Sequence, residues 1–209
     1  QNWSAYTANY DNVRLPDDSY ETVLRVYLRD GAAFTPQTLV EAPNADWLDL
    51  HSYYGPKTVP GTFGIALLSR FPIENPRTFY MYSEGEQTAT IAAQIVVNGR
   101  TFNVFVTHLG NGGPLVQQAA ILQEVQGKEN VILLGDFNFR PDTEQYRLTT
   151  GALVDAWLLQ WPEGGASQGI DPADRIDHIF LSPGTKVADC LCLPGPQSDH
   201  PAVTAVVEW

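Results

Sequence analysis

Four short clusters in this chain hold residue types able to act on a phosphate group. The first lies in residues 131–141, Val-Ile-Leu-Leu-Gly-Asp-Phe-Asn-Phe-Arg-Pro, where four β-prone apolar residues break at Gly135 into a polar tip. Side chains two apart on an extended chain point the same way, so Asp136 and Asn138 should leave the strand end together. A carboxylate there can hold Mg²⁺ or orient a water, while a neutral amide donates to a phosphoryl oxygen without repelling it. The alternative is an ordinary strand followed by an Asx turn. Arg140, two residues on, would either bind a substrate phosphate or form a surface ion pair.

The other clusters are Thr107-His108-Leu109, Arg175-Ile176-Asp177-His178 and Ser198-Asp199-His200-Pro201. They place three of the four histidines at strand ends. Pro201 biases His200 towards an extended conformation, which would hold its imidazole at the mouth of the last strand. A histidine beside a carboxylate is a natural general base, because the anion fixes its tautomer and stabilises the imidazolium. Each cluster also has a bland reading. Asp177 would pair with Arg175 or cap a strand, His108 would be a satisfied histidine at a hairpin end, and Asp199-His200 would be a solvated turn. His178 reads as packing beside the site.

Several elements must position these groups. An aromatic stretch over 3–9 reads as a first strand ending at Thr7-Ala8-Asn9. Ser19 is a good N-cap, and Tyr20, Val23, Leu24, Tyr27 and Leu28 recur at helical spacing, which predicts a helix over 19–29 closed by Gly31. A strand over 37–41, a short helix over 44–50 and a loop over 53–61 follow, then a buried strand over 63–69 closed by Arg70-Phe71-Pro72. Residues 91–97 and 100–107 flank Asn98-Gly99, the strongest short hairpin signal. Pro114 opens a helix whose Leu115, Ala119, Leu122 and Val125 form one apolar stripe, stopped by Gly127. After the central strand come short helices in 146–157, a loop over 162–174, and strands at 176–181, 187–193 and 202–207.

Composition bounds the function. At 209 residues, 44% hydrophobic and 17% charged, the chain is most simply one globular domain with a full core. Its 24 acidic and 12 basic residues give a formal charge of −12, which disfavours a duplex nucleic acid as partner. Cys190 and Cys192 lie two apart in a β-prone run, so they face one side and do not suit a mutual bridge. No run approaches the roughly 18 apolar residues of a membrane span, and no charged-then-apolar leader precedes Gln1. The Asn2-Trp3-Ser4 sequon points weakly towards an extracytoplasmic location.

In this order, Thr107-His108-Leu109, Gly135-Asp136-Phe137-Asn138, Arg175-Ile176-Asp177-His178-Ile179-Phe180 and Ser198-Asp199-His200-Pro201 resemble the endonuclease/exonuclease/phosphatase, or DNase I-like, superfamily. The resemblance implies an α/β fold, a two-sheet β-sandwich flanked by helices in four layers, with Mg²⁺-dependent (or Mn²⁺-dependent) cleavage of a phosphoester by an activated water. On that pattern Asp136 positions the water, Asn138 binds the phosphoryl group and Asp199 belongs to the metal site. His200, oriented by Asp177, acts as base or stabilises the transition state, and His108 stabilises developing charge or protonates the leaving oxygen.

The amino-terminal third departs from the pattern. Asn9 matches the Asn that ends the family's first strand, and Leu39-Val40-Glu41 is the nearest match to the Gln-Glu that ends its second, so Asn9 and Glu41 are the remaining metal candidates. Glu21 is a weaker one, since the first turn of a helix explains an acid there. Residues 53–56 and 63–73 are similar to bacterial members and to the carboxy-terminal domain of the fungal protein that remodels GPI-anchor lipid. This implies a phospholipid headgroup or small phosphorylated molecule as substrate, with a nuclease or a non-catalytic phospholigand-binding member as alternatives.

Overall fold

The computed structural model describes residues 7–14, 20–27, 65, 67, 69, 71–83, 88–165, 171–194 and 198–208. Thr7–Arg14 (β1) and Tyr20–Tyr27 (β2) form an antiparallel pair. The helix expected over 19–29 is therefore corrected to a strand. Tyr20, Thr22, Val23, Val26 and Tyr27 are aromatic or β-branched, and ladder pairing with β1 overrides the short helical spacing. Asn9 sits inside β1, opposite Arg25, and not at its end; Glu21 lies opposite Val13, so the helix-terminus explanation of its charge lapses. Glu41 and the elements expected at 37–50 lie outside the described residues. Of the strand expected over 63–69, Ile65, Leu67 and Ser69 are described, and they are half-buried without strand pairing.

The body is a mixed six-stranded sheet in the order β3-β4-β5-β6-β8-β7. Its strands are Ile73–Met81 (β3), Thr88–Val97 (β4), Arg100–His108 (β5), Val131–Asp136 (β6), Val154–Asp155 (β7) and Asp177–Leu181 (β8). β3 has no counterpart in the sequence reading, because Pro76 falls within it. An edge strand tolerates proline, and the ladder slips by a bulge between Glu74 and Arg77, where Asn75 takes φ 49°. Asn98 and Gly99 both have positive φ, 51° and 78°, the backbone of a type I′ turn that closes the β4–β5 hairpin.

Adjacent residues on a strand face opposite sides, and the core divides accordingly. On one face Phe105, Leu133, Phe137, Phe139 and Phe180 pack with Ile121, Val125 and Tyr146, which come from the helices Leu115–Val125 (α1) and Glu144–Thr150 (α2). On the other, Ile132 and Leu181 meet Trp157 and Cys192, brought by helix Ala156–Gln160 (α3) and a second, two-stranded sheet of Lys186–Leu193 (β9) and Ala202–Glu208 (β10). Cys190 and Cys192 are buried and free, and burial pushes the Cys190 thiol up to about 12. Among the described residues no helix is long and apolar enough to cross a membrane.

The apolar stripe expected on α1 is rotated. Gln117, Gln118, Ile121 and Val125 face inward, while Leu115 and Val116 are exposed. The Gln117 side chain accepts from Gly110 N at 2.9 Å and donates to Tyr82 O at 2.9 Å. It serves backbone groups at two strand exits that no ladder serves, which is why an amide and not a leucine is buried there.

β5 and β6 approach each other closely at Gly135. Gly135 has φ 144°, and a Cβ built there would lie 1.9 Å from Thr107 O. Gly135→Ala should therefore lower stability by about 3 kcal/mol or more. Gly99→Ala, with positive φ but nothing within 4 Å, should cost about 1 kcal/mol. Urea unfolding midpoints of the two variants compare them directly, and equal losses would refute the close approach.

Candidate active site

Three neighbouring strands bring their polar ends to one edge of the sheet. β5 and β6 run parallel and finish together, with His108 opposite Asp136; β8 runs antiparallel and begins there, with Asp177 opposite Asp136. His200 arrives from the turn before β10, where its backbone N donates to Ser198 Oγ at 3.1 Å. Four of the predicted residues thus converge although they are far apart in sequence.

The contacts among them are specific. His200 Nδ1 lies 2.8 Å from Asp177 Oδ2 and 3.9 Å from Asp136 Oδ2, and His108 Nε2 lies 3.3 Å from the same Asp136 oxygen. Asp136 Oδ1 accepts from Asn138 N at 2.9 Å, so the Asx turn and the polar cluster coexist, one oxygen serving each. Asn138 takes φ 53°, and its Nδ2 donates to Leu109 O at 2.8 Å, which braces the exits of β5 and β6 against each other. Asp136, Asp177 and His200 offer ligand atoms all within 4.8 Å of one another, a group that could hold a metal ion. Asp199 is exposed; it and His200 help line a cavity of about 170 Å³ together with Asp177, Ile176, Pro201 and Val203. Arg140 is exposed and bound to Asp174 at 3.0 Å.

Burial and the nearby Asp136 charge raise the Asp177 carboxyl above its ordinary 3.8, against the hydrogen bond from His200. For His200, partial burial works downward. The hydrogen bond to Asp177 and the charges of Asp177, Asp136 and Asp199 overcome it, and the imidazole is raised above 6.5. His178 has the opposite fate. Buried among Phe137, Phe139 and Phe180, it is lowered to about 4 by desolvation and is neutral at pH 7.

Two residues outside the predicted set matter to this edge. Asp155 and Tyr146 are buried, and Asp155 Oδ2 accepts from Tyr146 Oη at 2.7 Å and from Arg175 Nη2 at 2.9 Å. Arg175 thus pairs with Asp155 and not with Asp177. The available signal was Asp155 itself, a single charge in the apolar run Ala-Leu-Val-Asp-Ala-Trp-Leu-Leu, where a carboxylate needs a buried partner.

The sequence profile of the Endonuclease/Exonuclease/phosphatase family matches residues 14–200. The chain belongs to that family. Endonuclease/exonuclease/phosphatase proteins are generally metal-dependent phosphoesterases, and the Asp136, Asp177 and His200 group is the candidate metal site here. Solved structures share the fold. The catalytic domain of human Nocturnin superposes with a TM-score of 0.63 at 22% identity, over 82% of this chain and 76% of that one. A family protein from Leptotrichia buccalis gives 0.62 at 20%, over 83% and 75%. One from Beutenbergia cavernae gives 0.55 at 21% over 66% of this chain, which spans 46% of that longer protein.

The raised His200 is directly measurable. Histidine NMR titration should give it a pKa above 6.5. Asp177→Asn should lower that value, because the largest upward contributions vanish while burial stays. An unchanged value in Asp177→Asn would mean that the pair does not form in solution.

Proposed function

We propose that this chain is a metal-dependent hydrolase of phosphoesters, acting by an activated water on a lipid headgroup or another small phosphorylated molecule. The observation that carries the reading is the His200–Asp177 hydrogen bond of 2.8 Å set beside Asp136 at the end of three adjacent strands. With Nδ1 donating to the Asp177 carboxylate, His200 Nε2 is left as a proton acceptor, the tautomer a general base requires. Asp136 Oδ2 lies between the two histidines, where it can orient the attacking water. His108, whose Nε2 lies 3.3 Å from that oxygen, is the group proposed to stabilise charge on the leaving group or to protonate it.

The donors suit a hard divalent ion in part. Asp136 and Asp177 supply carboxylate oxygens, the ligands Mg²⁺ or Mn²⁺ takes readily, whereas His200 Nδ1 is committed to Asp177. When bound, the ion would polarise the phosphoryl oxygens and offset their charge. Asp199, beside His200, and Asn9 and Glu41 from the amino-terminal segment are the proposed further ligands. Asn138 is the proposed phosphoryl donor, using what its amide retains beyond the bond to Leu109 O. Arg140 would have to leave Asp174 to bind substrate.

A small or lipid substrate is favoured over nucleic acid on charge. The net charge is −12, and near the site Arg140 and Arg175 are tied to Asp174 and Asp155, so neither cation is free for a phosphate backbone. The similarity of residues 53–56 and 63–73 to the GPI-lipid-remodelling domain supports a lipid headgroup.

Hydrolysis of bis-p-nitrophenyl phosphate and p-nitrophenyl phosphate, followed by phospholipid vesicles, tests the reading. Turnover should require Mg²⁺ or Mn²⁺, stop with EDTA, and fall by about 10²- to 10⁴-fold in His200→Ala. Activity in His200→Ala equal to the parent would sink the assigned base. Silence on every ester with either ion would leave a phospholigand-binding protein instead.

A further inference from the structure

The buried charges behind the site have no part in the proposed chemistry. Arg175 and Asp155 side chains are 2% and 0% exposed, and they contact each other at 2.9 Å. Desolvating both ions roughly cancels their attraction, so an apolar pair of similar volume would hold this seam together about as well. What an apolar pair lacks is direction.

Every part of the Arg175 guanidinium is directed. Nη2 donates to Asp155 Oδ2, Nε donates to Pro172 O at 3.2 Å, Nη1 lies 3.4 Å from His178 Nδ1, and the plane sits over the Trp157 ring at 4.9 Å. Asp155 is held equally firmly, taking Tyr146 Oη on one oxygen and Trp157 N on the other at 2.9 Å. His178 continues the chain. Its Nε2 lies 3.0 Å from Phe139 O, and a carbonyl can only accept, so Nε2 carries the proton and Nδ1 is free to accept from Arg175. The line Asp155, Arg175, His178, Phe139 O therefore runs from the edge strand β7, through the start of β8, to the loop that follows β6.

Asp177 opens the first of those last two segments, and the second follows directly on Asp136. A second bond, Phe137 N to Ile176 O at 2.9 Å, ties them beside the first. Together the two bonds cross-brace the loops on either side of the site. Arg175 is two residues from Asp177, and Phe139 is three from Asp136.

We infer that Arg175, clamped by Asp155 and relayed through His178, is a positioning residue that sets the separation of Asp136 and Asp177 and so the seat of His200. The assignment rests on the hydrolase reading for its effect on rate, but not for its effect on geometry. Arg175 touches neither substrate nor reacting atoms; it acts through the two loops.

Two variants test it. Arg175→Lys keeps the charge but loses the planar fork and cannot reach Asp155, His178 and Pro172 O at once. The triple variant Tyr146→Phe, Asp155→Leu, Arg175→Met removes the network without leaving a charge unpaired. Both should fold, the triple variant with a lowered melting temperature because Asp155→Leu leaves Trp157 N at the start of α3 without its cap. In both, kcat on bis-p-nitrophenyl phosphate should drop about 10- to 100-fold with KM within about twofold. The ¹⁵N shifts of the His200 imidazole, which report its bond to Asp177, should move towards those of an unpaired histidine. A folded variant with kcat and His200 shifts both at parent values would overturn the assignment. If the triple variant does not fold, Arg175→Lys decides by the same readings. Where the parent protein itself turns over no ester, the hydrolase reading fails, and the His200 shifts alone decide the positioning role.

Discussion

The structure depends on how β6 is lodged between a parallel neighbour and an antiparallel one. Parallel pairing with β5 makes both strands end at the same edge, and antiparallel pairing with β8 makes that strand begin there. A single register then aligns His108, Asp136 and Asp177 across three strands. Gly135 permits it, because the chain passes so close to Thr107 O that no side chain fits at this point. A slip of one residue would turn each of these groups to the opposite face.

From that alignment follows the electrostatic character of the edge. Two carboxylates stand opposite each other, and each is approached by a histidine. Their mutual repulsion is relieved by the hydrogen bond from His200 and by the proximity of His108, and a bound cation would relieve it further. The same residue type behaves differently behind the edge. His178 sits among phenylalanine rings and is held neutral, while His200 faces acids and is raised. The division between a reactive surface and a rigid support is thus made by environment, using one kind of side chain.

The sequence contains the pair Asp-His twice, at 177–178 and 199–200, and the partners are not the neighbours. Asp177 binds His200, and His178 turns into the core. Asp177 and His178 are consecutive on β8 and face opposite sides, so these two cannot share a site. Arg175 and Asp177, read as a pair on a line of text, separate for another reason: Arg175 lies ahead of β8 and its side chain is drawn to the buried Asp155. The rotation of α1 has a related cause: the stripe of apolar letters was plain, but the demand of Gly110 N and Tyr82 O for partners was invisible until those strand exits were placed.

Local chemistry was sufficient to identify the β4–β5 hairpin, the central strand from Val131, which runs on through Gly135 to Asp136 where a break was expected, the helix opened by Pro114 and the clusters containing His108, Asp136, Asp177 and His200. Each of these depends on backbone preferences or apolar runs within about ten residues. The strand at 20–27, the proline-bearing edge strand β3, the partner of Arg175 and the inward face of α1 were decided only by tertiary structure. In each of these cases a hydrogen-bonding group or a charge is satisfied by a residue outside the segment itself, and the pattern within the segment does not encode which one that will be.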